Sequence, residues 1–240
     1  MISFVIPTLN EASVLEKTLI NLKRLTFCPA EIIVSDGNSR DQTQAIATRL
    51  GARLVVYRGA TRQTIANGRN LGAAAASGDY LVSMDADVII NKPNEFFSVL
   101  LDKFEKNSRL AGLTVSLKVL PEDETWADKV IFKLVNTVFF LINNVLPFGG
   151  ASGEFQIVRA SAFRQVGGFN EKLVVAEDND FFHRLRKIGE TRIVWGLTAY
   201  HTGRRAHKVG WPKLLFSWLT NWLSVFLFKK SATKEWHEVR

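Results

Sequence analysis

Two aspartates, Asp85 and Asp87, follow an apolar run that is typical of a buried strand, in "YLVSMDADVII" (80–90). Side chains at positions i and i+2 of an extended segment point to the same side, so both carboxylates can address one small object. Ionised carboxylates beside apolar residues are costly unless a cation compensates them. Hard divalent cations prefer such oxygen ligands, often together with phosphate oxygens. The spacing therefore favours a metal–phosphate site, and an aspartate-rich turn is the alternative.

Two further polar clusters follow apolar runs earlier in the chain. They are "PTLNE" (7–11) and "SDGNSRD" (35–41). In open α/β sheets, ligands bind just beyond the carboxyl ends of the strands. We therefore expect three polar clusters to meet at one edge of a sheet, where small polar groups can hold a base or a ribose.

The first ninety residues alternate between strand and helix patterns. Strands are predicted over 2–6, 31–35, 53–57 and 80–84, and helices from about Glu11, from an N-cap at Asp41 and over 61–78. Near-continuous apolar strands that alternate with helices indicate a parallel sheet covered on both faces. The alanine-rich helix over 61–78 is expected to pack closely on that sheet.

Composition limits the class of protein. The chain has 240 residues, of which 47% are hydrophobic and 22% charged, so we expect one large packed domain, alone or with an appendage. A single cysteine, Cys28, excludes an internal disulfide framework and a multi-cysteine zinc site. The start of the sequence lacks the basic region of a signal peptide, so we expect the chain to stay on the side of the membrane where it is made.

The last forty residues are basic and contain an apolar run. Residues 201–240 hold eight Lys and Arg against two Glu, which suggests phosphate-bearing partners. The run "LLFSWLTNWLSVFLF" (214–228) lies between lysines and is short for a span, so it is predicted to lie in a membrane interface. A core or dimer helix is the alternative for this run, and a transmembrane span is not favoured. The earlier apolar segment 130–148 is predicted to be core or a dimer interface. Nucleic-acid binding is not favoured, because the charge flanks an apolar helix.

Five motifs in order resemble family 2 inverting glycosyltransferases over residues 2–205. They are "FVIPTLNE", "IIVSDGNSRDQT", "GRNLGAAAASGDYLVSMDAD", "GGASGEFQIVRASAFRQVGGFNE" and "AEDNDFFHRLRKIG". The resemblance implies a GT-A fold, which is a Rossmann-like three-layer α/β sandwich with a mostly parallel central sheet. It also implies a UDP- or GDP-sugar donor and Mn²⁺ or Mg²⁺. A weaker similarity is to polyprenyl-phosphate sugar synthases of the dolichol-phosphate mannose type.

The resemblance divides the chain into a catalytic domain and a tail. The domain is 1–205, with a nucleotide-binding half over 1–90 and an acceptor half over 91–205. The tail, 206–240, is basic and rich in tryptophan, and is predicted to associate with an anionic membrane surface through an amphipathic helix. A homo-oligomer is left open.

Family motifs also assign the donor and metal sites. The predicted nucleotide-sugar contacts are Pro7, Thr8, Asn10, Glu11, Asp36, Ser39, Arg69, Asp85, Arg204 and Arg205. Asp87 is the predicted metal ligand, with Asp85 beside it. Where the similar synthases place a metal-binding glutamine this chain has Ile89, so His201 is a candidate third ligand, and a histidine bonded locally is the alternative. A solvated basic loop is the alternative for the arginine pair 204–205.

The segment "AEDND" matches the motif that carries the family's catalytic base. The base is therefore assigned to Asp178, with Glu177 and Asp180 as its neighbours. An inverting transfer needs one carboxylate to take the proton of the acceptor hydroxyl. The alternative is a solvated helix start, since acids favour the first turn of a helix. An acceptor that is a phosphate would need the base less, because its oxygen is already ionised.

These patterns lead to one expected function and two alternatives. We expect a metal-dependent inverting transfer of one sugar to a lipid-linked or other membrane-proximal acceptor, at the cytoplasmic face of a membrane. The Q-x-x-R-W motif of processive family members does not occur in the 240 residues. The alternatives are a non-catalytic protein that binds nucleotide sugars or acts as a membrane scaffold, and a sugar-1-phosphate nucleotidyltransferase. The latter needs a glycine-rich basic loop that is missing from 7–17.

Overall fold

The computed structural model describes residues 1–233, so the end of the predicted tail, 234–240, lies outside the described residues. In chain order the elements are β1 (Ile2–Thr8), α1 (Ala12–Leu22), β2 (Ala30–Asp36), α2 (Thr43–Arg49), β3 (Arg53–Val56), α3 (Ile65–Ala74), β4 (Tyr80–Met84), β5 (Ile89–Ile90), α4 (Pro93–Lys106), β6 (Leu110–Val119), α5 (Trp126–Phe140), a π-helical turn (Leu141–Val145), β7 (Phe155–Arg159), α6 (Ala160–Gln165), α7 (Glu177–Ile188), β8 (Glu190–His201), α8 (Arg204–Val209) and α9 (Trp211–Phe228).

One sheet joins all the strands of the described residues, in the order β3-β2-β1-β4-β7-β6-β8-β5. Strand β1 lies parallel to β2 and β4, β2 is parallel to β3, and β6 is parallel to β8. Strand β7 is antiparallel to both of its neighbours, and the short β5 is antiparallel to β8. The predicted α/β fold with a mostly parallel sheet is confirmed. Because Thr8 pairs with Asp36, the ends of β1 and β2 meet at one edge of the sheet.

Two predicted helix boundaries differ from the structure. Helix α2 begins at Thr43, one residue later than an N-cap at Asp41 implies, with Gln42 at the N-cap position. The Asp41 carboxylate still caps the start of the helix, because it accepts hydrogen bonds from the Thr43 N–H and hydroxyl. The helix predicted over 61–78 is shorter, Ile65–Ala74. Its start is set by Thr64, whose hydroxyl accepts a hydrogen bond from the Asn67 N–H and so caps the helix.

Helix α3 packs closely on the sheet through glycine, as the small residues of its sequence predict. A Cβ atom at Gly72 would lie 2.4 Å from Cγ1 of Val5, and one at Gly68 would lie 3.2 Å from Cβ of Pro7. A larger side chain at either position would push the helix away from β1. The close approach places Arg69, which lies between them, directly beneath the carboxyl ends of the strands.

The apolar segment predicted as core or dimer interface forms α5 and the π-helical turn. One face of α5 is buried through Asp128, Phe132 and Asn136. The other face is exposed although it is apolar, so the prediction of a core helix holds for one face only. No helix within residues 1–233 is both long and apolar enough to cross a membrane.

Asn136 completes the hydrogen bonding of β6 where the neighbouring strand β7 has ended. Its amide accepts a hydrogen bond from the Leu117 N–H and donates one to the Leu117 carbonyl, both at 2.9 Å. Strand β7 pairs with β6 only at Gly112 and Leu113, so a side chain takes the place of the missing strand.

We predict that Asn136→Ala lowers the free energy of unfolding by about 2–3 kcal/mol, because it leaves two buried backbone groups without partners. Urea unfolding followed by circular dichroism measures the loss. Thr137→Ala is the control, since the Thr137 hydroxyl is exposed and bonds only the Lys133 carbonyl of its own helix. Equal stability of the two variants would contradict this role of Asn136.

Candidate active site

Asp36 holds together the loops that follow β1 and β2. It is 0% exposed. Its carboxylate accepts hydrogen bonds from the hydroxyls of Thr8 and Ser39, from the Ser39 N–H and from the Gln44 amide, at 2.5–3.0 Å. In this arrangement Asp36 positions the two loops, and its predicted contact with the nucleotide stays a prediction. Gln44 was missed; it lies three residues beyond the polar cluster 35–41.

The loop after β1 is bonded to the loop after β2. The Asn10 N–H donates to the Ser39 hydroxyl, and the Asn10 side-chain oxygen accepts from the Arg40 N–H, both at 2.7 Å. Asn10 has a φ of 55°, in the left-handed region that asparagine tolerates better than most residues. The Glu11 N–H donates to the Thr43 hydroxyl. The two predicted nucleotide loops therefore form one bonded unit at the sheet edge.

Asp87 lies in a cluster with residues from both ends of the chain. It is 8% exposed, and its Oδ2 accepts a 2.5 Å hydrogen bond from the Thr202 hydroxyl. The Arg204 guanidinium lies 3.4 Å from the same oxygen and 2.7 Å from a carboxylate oxygen of Glu11. Three predicted site residues thus meet here, and Arg204 compensates both carboxylates. Thr202 was missed, since its hydroxyl reaches Asp87 only through the tertiary fold.

Asp85 and Asp87 supply the carboxylate oxygens that Mn²⁺ or Mg²⁺ prefers. His201 is the predicted third ligand. His201 is 7% exposed, and its Nε2 is buried without a hydrogen-bond partner. Its Nδ1 accepts a hydrogen bond from the Gly203 N–H, which leaves Nε2 as the ring atom that a metal would have to approach. Within residues 1–233, no three acidic, histidine or cysteine side chains are grouped to hold an ion. The two carboxylates fit a metal whose remaining ligands come from phosphate, and His201 as a ligand stays a prediction.

Arg69 is buried beneath the predicted active site, with 2% of its surface exposed. Its Nη1 lies 2.7 Å from Glu177, and its Nη2 donates to the Gly153 carbonyl at 2.9 Å and lies 3.3 Å from Asp85. The guanidinium also lies over the Phe169 ring, 5.2 Å from its centre. The terminal nitrogens bond the protein, so Arg69 links the two acidic motifs. Its predicted contact with a diphosphate stays a prediction.

Gly153 allows the two acidic motifs to approach each other. A Cβ atom there would lie 2.5 Å from Nη2 of Arg69 and 3.3 Å from Oδ2 of Asp178. Asp178 is half-buried in the first turn of α7, so the predicted helix start and the predicted base occupy the same place. Burial and the neighbouring charge of Glu177 raise the pKa of Asp178 to about 8, while Arg69 opposes the shift.

Asp85 has a perturbed pKa for a similar reason. Burial raises the pKa of Asp85 to about 7, Arg69 acts against this, and the charge of Glu154 adds to it. Glu154 also raises the pKa of Asp178, and it was missed although it lies within "GGASGEF". On α8, burial lowers the pKa of Arg205 to about 10, with the charge of Asp85 opposing. Strongly raised pKa values beside a buried cation occur both at sites of proton transfer and in structural ion-pair networks.

We predict that Arg69→Met lowers the free energy of unfolding by about 3–5 kcal/mol, because it leaves the buried carboxylate of Glu177 unpaired. Burial already raises the pKa of Glu177, and loss of Arg69 raises it further. Protonation relieves the unpaired charge, so the deficit relative to wild type should be larger at about pH 8 than at about pH 5. Urea unfolding at both pH values measures it.

Two further variants serve as controls for Arg69. Arg69→Met with Glu177→Gln should regain part of the loss, since the buried charge is gone as well. Arg49→Met removes an exposed pair with Glu16 and should cost less than about 1 kcal/mol. A deficit that does not change with pH would contradict the charge-pairing role.

Comparison with known proteins supports one family. The profile of glycosyl transferase family 2 matches residues 3–167. A curated relative, the succinoglycan biosynthesis protein ExoA of Rhizobium meliloti (strain 1021), is 29% identical over 210 residues, which cover 77% of this chain and 58% of the relative. The chain spans less than two thirds of the length of this and other curated relatives.

Solved structures share the fold at low sequence identity. A mannosyltransferase from Pyrobaculum calidifontis, in complex with GDP-Man and Mn²⁺, superposes with a TM-score of 0.66 at 18% identity, over 84% of this chain and 56% of that one. Glucosyl-3-phosphoglycerate synthase from Mycobacterium tuberculosis, with Mn²⁺ and UDP, gives 0.61 at 22% identity, over 93% and 79%. These superpositions confirm the predicted GT-A type of fold, and the profile match covers well over half of the chain. The chain therefore belongs to glycosyl transferase family 2.

Proposed function

We propose that this chain is a metal-dependent inverting glycosyltransferase. It would move a single sugar from a UDP- or GDP-sugar to a lipid-linked or other membrane-proximal acceptor. The observation that carries the proposal is the pairing of two acidic motifs through one buried arginine, Arg69, at the carboxyl edge of the sheet.

Binding of the donor is assigned to the bonded loops after β1 and β2 and to the carboxylates after β4. Asn10, Ser39 and the backbone around them would hold the nucleoside. Asp87, with Asp85 beside it, would hold Mn²⁺ or Mg²⁺, and that ion would neutralise charge on the departing diphosphate. Arg204 and Arg205 lie at the same edge and can contribute positive charge there. For Arg204 this requires release from its present contact with Asp87 and Glu11.

Activation of the acceptor is assigned to Asp178. An inverting transfer requires a base on the face of the sugar opposite the leaving group. A carboxylate with a pKa of about 8 holds a proton more strongly than an ordinary aspartate, and so takes one from a hydroxyl more readily once it is ionised. A raised pKa suits an acceptor with a hydroxyl group, since a phosphate acceptor has no proton to remove.

A place at the cytoplasmic face of a membrane is part of the same proposal. Helix α9 follows directly after α8, which carries Arg204, and its outer face is apolar. Lysines lie at both ends of α9, where they would meet lipid phosphates. A membrane acceptor would therefore arrive beside the predicted donor site.

We predict that Asp178→Asn lowers kcat for a hydroxyl acceptor about a thousandfold, while donor binding changes little, because only the base is lost. For the wild-type enzyme, kcat/KM should rise about tenfold per pH unit until Asp178 is ionised, near its pKa of about 8. Transfer of radiolabelled sugar from UDP- and GDP-sugars to lipid-linked acceptors, across a pH series, measures both effects.

Asp102→Asn is the control for Asp178. It removes the same charge from an exposed position on α4, and transfer should stay within about threefold of wild type. An Asp178→Asn variant that keeps wild-type turnover with a hydroxyl acceptor would refute the assignment of the base. Pyrophosphate release from a nucleoside triphosphate would instead favour a nucleotidyltransferase.

We also predict that Asp87→Ala weakens the binding of the nucleotide in the presence of Mn²⁺ at least about tenfold, since the bridge from protein to diphosphate is lost. Calorimetry with UDP, GDP and TDP, each with and without Mn²⁺, measures this and identifies the preferred base. Asp102→Ala is the matched control. If Mn²⁺ does not strengthen nucleotide binding to the wild-type chain, metal dependence is wrong.

A further inference from the structure

Helix α5 carries an apolar stripe that faces outwards. Along α5 and the π-helical turn, the exposed apolar side chains recur at intervals of three or four residues, which places them on one face of a helix. They are Trp126 (79% exposed), Val130 (46%), Leu134 (62%), Val138 (46%), Leu141 (44%) and Val145 (61%). The opposite face of α5 packs on the sheet. This stripe takes no part in the proposed chemistry.

Helix α9 carries a second exposed apolar face. Its members are Leu215 (38% exposed), Phe216 (70%), Leu219 (56%), Leu223 (40%), Phe226 (44%), Leu227 (62%) and Phe228 (70%). Its inner side is buried through Leu214, Asn221 and Val225. We call the exposed residues of α5, the π-helical turn and α9 together the two-helix surface.

The two helices are held together at both ends. At the start of α9, the Trp211 ring lies 5.5 Å from that of Phe132, and its indole N–H donates to Asp128, a residue of α5. Towards the end of α9, Trp222 and Phe226 contact Phe148, three residues after the π-helical turn. Helix α9 therefore follows the course of α5 and does not project away from the domain.

Positive charge borders the two-helix surface at both ends of α9, where Lys213, Lys229 and Lys230 are exposed. On α5, Lys133 is exposed, whereas Lys129 lies 3.7 Å from Glu124, and Glu122 and Asp123 precede the helix. Helix α9 contains no acidic residue, and the one acid of α5, Asp128, is buried. Interfaces between proteins are depleted of lysine at their centres, whereas helices that lie on membranes are rich in it.

We propose that the two-helix surface docks on a bilayer of anionic phospholipid, with α5 inserting its apolar stripe beside α9. The inference deepens the membrane association in the proposed function and rests on it. The lysines at both ends of α9 select the anionic bilayer over a second copy of this chain, which would set these lysines against each other. Docking through two helices fixes the orientation of the domain, whereas a single helix leaves it free to rotate. The direction from which a membrane acceptor approaches Arg204, on α8, is then fixed.

The test compares charge-matched double variants of the full chain in vesicle flotation. Val130→Glu with Leu134→Glu alters α5, and Phe216→Glu with Leu219→Glu alters α9. Ile20→Glu with Val99→Glu is the control, since these apolar residues on α1 and α4 have similar exposure, 50% and 42%. The vesicles contain phosphatidylcholine with phosphatidylglycerol, or phosphatidylcholine alone. Thermal unfolding and nucleotide binding establish that each variant is folded.

We expect the α5 and α9 variants each to lose at least about tenfold in binding to anionic vesicles, because both insert apolar side chains. The control should bind like wild type, and wild type should bind weakly to phosphatidylcholine alone. Wild-type binding by the α5 variant would overturn the proposal, as would equal binding of wild type to both vesicles. A dimer that the α5 variant dissociates, with no flotation of wild type, would also overturn it. Flotation requires no sugar transfer, so its failure leaves the proposed chemistry intact.

Discussion

The arrangement of the active site depends on one buried cation. Arg69 lies between Glu177 and Asp85 and also bonds the Gly153 carbonyl. A buried guanidinium without carboxylate partners would be strongly unfavourable, and so would the carboxylates without it. The folded chain can therefore adopt this site only when α3, β4, the loop before β7 and the start of α7 come together. Small residues make this possible, since Gly72 lets α3 approach the sheet.

A second arginine, Arg204, holds the other side of the site through ion pairs that are partly exposed to solvent. Arg204 lies against both Asp87 and Glu11, and 26% of its side chain is exposed. A partly exposed ion pair contributes less stability than a buried one and can exchange partners with a metal or a phosphate. The site thus combines two arginines: Arg69, which is buried beneath the acidic residues, and Arg204, which a ligand can reach. This difference follows from burial, because both residues are arginine.

The apolar surface and the active site are connected through a short length of chain. Strand β8 ends at His201, Thr202 bonds Asp87, Arg204 begins α8, and α9 follows. Any displacement of α9 on a surface would reach Asp87 through only a few residues. The Trp211 indole of α9 and the His207 imidazole of α8 both bond Asp128, so the start of α9 is fixed on α5. The geometry thereby joins the position of α9 to that of Asp87, the predicted metal ligand.

The sequence by itself determined the alternation of strands and helices, the polar clusters at their ends and the family, because these depend on local periodicity and on motifs. It did not distinguish a carboxylate that is partly open to solvent from one that is buried and holds loops together. Asp36 and Asp85 both follow apolar strands, yet one is 0% exposed and the other has a 38% exposed side chain. Only the tertiary structure decided the burial of Arg69 and the exposed stripe of α5. Burial is set by what packs opposite a residue, and those partners lie far away in the sequence.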